Sequence, residues 1–291
     1  DEERDEVLTT GASADFDLVM VDNIAVKVLG DNGRLIPILP RQLQPIEARW
    51  RDSCGGYGVP YAWGTLGIAY RADYISPAPV SWRQLLSPPE SWRGHIGWLA
   101  DHIDSFIPPL KAAGYSLNTG DSPHFRAAYQ QLLALNPAIV SYDYVLTEVT
   151  RDSASPIHVA LAYSGDHYTL NDVQGVEDWQ FVTPEEGTSI WVDCVAILAT
   201  SKQQPQALAF LAFLAFLNRP EMAALNAEQV WLATPNEQAL PLIDAELLSD
   251  DTVYQDLKTL STSESYENIE ADNTLQRSRM LRALMRHHEA Q

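Results

Sequence analysis

Apolar positions along this chain come in short blocks whose period switches between two and about 3.6, the spacing of strands alternating with helices. Residues 16–21 (FDLVMV) form a short strand-like run, after which Asp22-Asn23 opens a helix carrying Val26 to Leu29. Ile36 to Leu39 is a further extended piece. Residues 57–70 (YGVPYAWGTLGIAY) are rich in β-formers and glycine, the composition of a strand that passes close to other backbone. Ser81 caps a short helix (SWRQLL), Ile96 to Leu99 is a strand, and Ser105 to Ala113 a helix ended by Gly114. Pro123 to Leu135 follows as an amphipathic helix, Val159 to Tyr163 as a strand, and Gly165-Asp166 leads into another helix. Gln180 to Thr183 and Ser189 to Leu198 are strands. The last third is mostly helical. Gln204 to Leu217 precedes a second helix with Asn218 as N-cap and Glu221 three residues on, a capping-box arrangement. Short helical turns occupy Asp244 to Leu260, and Leu275 to His288 is a terminal amphipathic helix. Such alternation predicts an α/β layer structure with mainly parallel sheets flanked by helices.

Composition narrows the partners. With 291 residues the chain is long enough for two lobes with separate cores. Its 39 acidic side chains against 19 Lys and Arg give a formal charge of −20. That balance argues against nucleic acid and against anionic lipid, and steers cations inward. The same acidity also serves solubility alone. The most apolar stretch, residues 207–217 (ALAFLAFLAFL), is too short to span a bilayer and reads as a buried helix. The chain opens on Asp-Glu-Glu-Arg with no visible signal peptide, as expected of a cytosolic protein or of a processed or trimmed one. Cys54 and Cys194 are the only cysteines, and they fit either one disulfide or two buried thiols. Their spacing does not suit zinc. Dinucleotide, P-loop and GxSxG signatures are missing, and no cofactor is expected.

Three segments carry chemistry: residues 98–104 (WLADHID), 163–166 (YSGD) and 191–193 (WVD). Each sets a carboxylate beside or near an aromatic ring at the end of an apolar run. Brought together, they make a negative pocket walled by π-faces, which suits an organic cation. Simpler readings stand beside this one. Asp101 and Asp104 suit the capping of a helix near Ser105, and Tyr163 and Trp191 suit a core. Asp193, in an otherwise apolar strand, needs a partner, because an unpaired buried carboxylate is costly. A metal site from His95, Asp101, His102 and Asp104 is disfavoured, since a strand and turn would splay them. His287-His288 reads as solvated.

Taken in order, residues 17–21 (DLVMV), 59–70 (VPYAWGTLGIAY), 81–85 (SWRQL), 163–166 (YSGD), 184–187 (PEEG), 191–193 (WVD) and 233–236 (ATPN) resemble the periplasmic spermidine- and putrescine-binding proteins of ABC transporters. The resemblance runs from about residue 16 to about 285. It implies a two-lobed type II solute-binding fold with a hinge and an acidic-aromatic cleft between lobes. One lobe takes 1–66 plus 191–238, and the other takes 67–190 plus 239–291. It implies that Asp101 and Asp104 grip one amine, that Asp166 and Asp193 are further acidic ligands, and that Tyr163 and Trp191 lie against the methylene chain. Asp22 falls where relatives have a ligand-side Ser, and Glu267, after Tyr266, matches a polar contact. Cys54, just before the Tyr57 strand, and Cys194, just after Asp193, then belong to strands that run between the lobes side by side, so a disulfide and two buried thiols both remain open. The family's first strand–helix unit, with its Trp/Tyr-rich motif, is missing from this chain, and Ile24 and Leu232 stand where aromatics are usual.

The expected function is that of a periplasmic receptor for a polyamine-like cation, with an ABC permease as partner and no enzyme activity. The alternative is the sensing ectodomain of a membrane signalling protein, a diguanylate cyclase or histidine kinase, its own signalling domain then being the partner.

Overall fold

The computed structural model describes residues 16–39, 43–200, 212–267 and 271–290. In chain order its strands are β1 (Leu18–Asp22), β2 (Gly58–Arg71), β3 (Ile96–Gly97), β4 (Ile139–Ser141), β5 (Val159–Tyr163), β6 (Trp179–Val182), β7 (Ser189–Ile197) and β8 (Glu264–Ser265). Its helices are α1 (Ala25–Asp31), α2 (Trp82–Leu86), α3 (Ile107–Ala112), α4 (Ser122–Leu135), α5 (Val145–Arg151), α6 (Asp166–Gln174), α7 (Pro220–Val230), α8 (Ala245–Leu248), α9 (Leu257–Thr262) and α10 (Ala271–Glu289). Of the apolar run 207–217, residues 207–211 lie outside the described residues, and 212–217 are helical. Among the described residues, no helix is long and apolar enough to cross a membrane.

The chain divides into two compact units. Unit 1 comprises Asp1–Trp63 and Trp191–Ser249, and unit 2 Gly64–Ile190 and Asp250–Gln291. The sequence reading set the crossings at 66/67, 190/191 and 238/239. Residues 239–249 go with unit 1 because they are tied to α7, the Asp244 amide donating to Glu228 Oε1 at 2.9 Å.

In unit 1, β1 runs antiparallel to β7 with Leu18 opposite Ile197 and Asp22 opposite Asp193. Alternation sets the faces of β1: Val19 and Val21 are buried while Met20 is exposed. Cys54 and Cys194 form a disulfide across 140 residues of chain. The capping box expected at Asn218 does not form. The Asn218 side-chain amide donates to the Leu214 carbonyl at 3.1 Å, and α7 begins at Pro220, whose fixed φ suits the first turn and whose missing N–H is not needed there.

In unit 2, β2 is antiparallel to β5, with Leu66 opposite Tyr163, and to β6, with Ile68 opposite Val182. Parallel ladders join β3 to β5 and β4, and β7 to β8. The sheets are therefore mixed, where the sequence pattern predicted mainly parallel ones. The difference comes from the long strand β2, which enters from unit 1 and pairs antiparallel on both sides. Gly67 is required there: a Cβ would lie 2.3 Å from the Phe181 ring and 2.6 Å from the Val182 carbonyl. Below this sheet Val145, Val149, Ile157, Ala160, Leu170 and Trp179 form one buried cluster. The Trp179 indole N–H donates to Gln174 Oε1 at 2.6 Å, so burial of the ring leaves no orphaned donor. A fully buried Arg277 fixes α10. Its guanidinium lies over the Phe125 ring at 4.6 Å and donates to the Leu117 carbonyl at 2.8 Å and to Asn273 Oδ1 at 2.9 Å.

Candidate functional site

Unit 2 gathers four of the predicted residues. After β3, the buried Trp98 and Leu99 carry the chain to Asp101, whose Oδ1 accepts from the amides of Ile103 (2.7 Å) and Asp104 (2.8 Å). The Ser105 hydroxyl locks the same turn by donating to the Leu99 carbonyl at 2.5 Å. Asp101 thus does cap the turn, with Oδ1. Asp104 is presented toward β5, where its Oδ2 accepts from the Tyr163 hydroxyl at 2.6 Å. Tyr163 ends β5, and Gly165, at φ +93°, turns the chain so that Asp166 starts α6. Only a residue without Cβ takes that backbone cheaply. Asp166 Oδ2 accepts from the Tyr163 amide at 2.7 Å and from the Tyr144 hydroxyl at 2.6 Å. The rings of Tyr144 and Tyr163 meet edge to face, centroids 5.8 Å apart.

Burial shapes the electrostatics. Desolvation pushes the Asp166 carboxyl up to about 7, against the opposing pull of the Tyr144 and Tyr163 donors. The hydroxyl of Tyr163 is held well above its ordinary value, first by burial and then by the charges of Asp104 and Asp101. Tyr144 is raised by burial and by Asp166. Both phenols therefore stay protonated and keep donating.

From the last segment, Tyr266 rather than Glu267 reaches this cluster. The Tyr266 hydroxyl donates to the Ile103 carbonyl at 3.3 Å, and its pKa is raised by burial and also feels Asp104 and Asp101. Glu267 is exposed, and its amide donates to Asn118 Oδ1 at 2.9 Å.

Unit 1 holds the other predicted residues. The β1–β7 register sets Asp22 directly opposite Asp193, so the two carboxylates share one face. Like charges directly opposite one another repel. Asp22 Oδ1 accepts from the amides of Ile24 (2.7 Å) and Ala25 (2.8 Å), which starts α1. Trp191, two residues before Asp193, lies on the same face of β7, while Val192 and Cys194 are buried on the other. Tyr61 donates to Asn226 Oδ1 at 2.7 Å, and its hydroxyl is raised by burial and also by the charge of Asp193. The sequence reading missed Tyr61, Tyr144, Asn226 and Tyr266. Tyr61 lay within a stretch singled out for its β-formers, and Tyr266 beside the residue chosen instead.

Among the described residues, no group of three or more His, Cys, Asp or Glu is placed to hold a metal ion. His95, considered for such a role, stacks on His158 at 4.3 Å and makes a 2.7 Å hydrogen bond through Nδ1 to the Pro156 carbonyl.

Comparison with known proteins gives the family. The family model described as bacterial extracellular solute-binding protein matches residues 5–256. The chain belongs to that family. It is similar to the norspermidine sensor of Vibrio cholerae serotype O1, with 32% identity over all of this chain and 80% of that protein. It is similar also to the spermidine/putrescine-binding periplasmic protein of Escherichia coli K12, with 29% identity over 77% of this chain and 62% of that one. The chain thus spans less than two thirds of the Escherichia coli protein. A solved structure of the spermidine/putrescine ABC transporter substrate-binding protein PotD from Streptococcus pneumoniae aligns with a TM-score of 0.82 at 24% identity, covering 99% of this chain and 88% of that one. That likeness gives the fold: the α/β, type II solute-binding fold expected from the sequence. The family is one of binding proteins rather than enzymes.

Proposed function

We propose that this chain captures a linear, polyamine-like organic cation of the putrescine or spermidine kind, in the periplasm, as the solute-binding component of an ABC transporter. The observation that carries the reading is the ordered set Asp104, Tyr163 and Asp166, in which two carboxylates flank an aromatic ring whose hydroxyl and amide both donate to them. An ammonium group entering there donates to carboxylate oxygens and meets the ring face, while the ring covers adjoining methylenes. Asp101 adds charge to the same cluster, and Tyr266 takes the place that the sequence reading gave to Glu267. On unit 1, Asp22, Asp193 and Trp191 offer the same chemistry on their own face. Its relatives, a norspermidine sensor and a spermidine/putrescine-binding periplasmic protein, support this ligand class. The disulfide fits an oxidising compartment.

The permease is the partner we propose. A receptor's signalling domain is the second reading, and what favours it is the Vibrio cholerae sensor's match over the whole of this chain. Co-purification with a permease, or with a membrane receptor, separates the two.

The ligand reading is tested by isothermal titration of putrescine, spermidine and norspermidine into the chain at low ionic strength. Each charge-assisted hydrogen bond is worth about 1.5–3 kcal/mol. Asp104→Asn and Asp193→Ala are therefore each expected to weaken binding by about 10- to 150-fold. Unchanged affinity in both variants contradicts the proposal.

A further inference from the structure

Tyr144 belongs to no motif in the sequence and is not among the residues the family resemblance supplied, yet it sits at one end of a continuous hydrogen-bonded path. Its hydroxyl donates to Asp166 Oδ2 at 2.6 Å; that same oxygen accepts from the Tyr163 amide at 2.7 Å; and the Tyr163 hydroxyl donates to Asp104 Oδ2 at 2.6 Å. Tyr144 also packs its ring edge to face against Tyr163. We infer that Tyr144 is a positioning residue for the carboxylates that grip the cation, acting through Asp166 to fix the Tyr163 main chain and so the hydroxyl that Tyr163 gives to Asp104. The inference rests on the polyamine reading above and adds to it a residue that touches no ligand.

Geometry distinguishes this role from ordinary core packing. Both donors converge on one carboxylate oxygen of Asp166, and among the described residues no hydrogen bond is made to the other, Oδ1. The carboxylate is thereby held through Oδ2, which leaves Oδ1 as the oxygen that would accept from an ammonium group. Two donors on Oδ2 also favour the ionised form, which burial opposes.

The groups facing Asp166 are few. Tyr144 comes from the start of α5, and Tyr163 from β5 with Asp104 and Asp101 beyond it. His167, the next residue on α6, is pushed down to about 4 by burial and is neutral above that pH. Across pH 6–9 both tyrosines remain protonated donors, so the proton on Asp166 is the one that decides whether this part of the cluster is charged.

The test is Tyr144→Phe, which keeps the ring and its contact with Tyr163 and removes only the hydroxyl. Two readouts are taken on the full, disulfide-intact chain. The first is the titration of the Asp166 carboxyl by 13C NMR without ligand, assigned by the signal lost in Asp166→Asn. The second is spermidine affinity from pH 5.5 to 9. Loss of one donor is expected to raise the Asp166 midpoint by about one pH unit, tenfold in proton affinity. Spermidine binding should weaken about fivefold at pH 7 and about tenfold at pH 5.5, and recover by pH 9. An unchanged Asp166 midpoint, or an affinity loss equal at every pH, overturns the positioning role and leaves Tyr144 a packing residue. Absence of spermidine binding by the folded wild-type chain overturns the ligand reading, and with it the ammonium side of this inference. The ligand-free titration still decides whether Tyr144 sets the state of Asp166.

Discussion

Asp166→Asn should make the protein more stable and less able to bind. Burial pushes the carboxyl up to about 7 in the folded chain, from an ordinary value of 3.8. A folded-state pKa raised above the unfolded one means that the folded chain takes up a proton the unfolded chain has already released. The penalty of the buried charge is therefore complete above pH 7, shrinks as pH falls, and is gone below about pH 4. Three pH units correspond to about 4 kcal/mol, a ceiling, since the surroundings of a buried charge relax to soften its cost; about 2 kcal/mol is the expected gain above pH 8. Asparagine can collect that gain because both native donors fall on a single oxygen, which the amide carbonyl replaces without turning its NH2 toward either. In a domain of this size 2 kcal/mol raises the Tm by about 4–8 °C. The assay is urea unfolding at pH 8.5 and at pH 4.5, with scanning calorimetry alongside. Stabilisation confined to the higher pH, together with weaker polyamine binding, is the expected pair of results, a trade between stability and function. An Asp166→Asn chain that is less stable at pH 8.5, or one whose difference from wild type does not change with pH, refutes the reasoning.

Other consequences can be measured separately. Reduction of Cys54–Cys194 releases a closed loop spanning 140 residues and should lower stability by up to about 5 kcal/mol, read as a fall in the urea midpoint on adding a thiol reductant; an unmoved midpoint counts against it. Trp179→Ala removes a fully buried ring from the unit 2 cluster and leaves Gln174 without its donor, so a loss of about 3–5 kcal/mol is expected, seen as early unfolding of unit 2 by hydrogen exchange.

Much of the scaffold was legible because continuous apolar runs leave little ambiguity. Strand β5 begins and ends where the run from Val159 to Tyr163 does, and β7 follows the apolar stretch from Ser189 closely. Ser81 capped its helix as its residue type suggested, its hydroxyl accepting from the Gln84 amide at 3.2 Å. Segment 139–151 escaped notice because a three-residue strand and a polar seven-residue helix carry too little periodicity to register. Asn218 misled because the capping-box pattern is local, whereas Pro220 decided where the helix could begin.

The site was legible to a different depth. Asp104, Tyr163 and Asp166 were chosen from acid-aromatic motifs, and the structure brings them into one hydrogen-bonded set. What the motifs could not express is pairing across long separations. Tyr144 meets Asp166 across 22 positions, and Tyr61 meets Asn226 across 165, so no local spacing announces either contact. The opposition of Asp22 and Asp193 likewise depends on an antiparallel register between strands far apart in sequence. At Tyr266 and Glu267 burial separates the neighbours, the tyrosine turning inward and the glutamate outward.

The central claim is that carboxylates ordered around Tyr163 hold an organic cation. Calorimetric titration of spermidine into the folded, disulfide-intact chain at pH 8 and low salt, beside Asp104→Asn, tests it most directly. Saturable binding by the wild type, weakened at least tenfold in the variant and falling as salt is added, is the predicted result. A folded wild-type chain that gives no binding heat with spermidine, putrescine or norspermidine contradicts the claim.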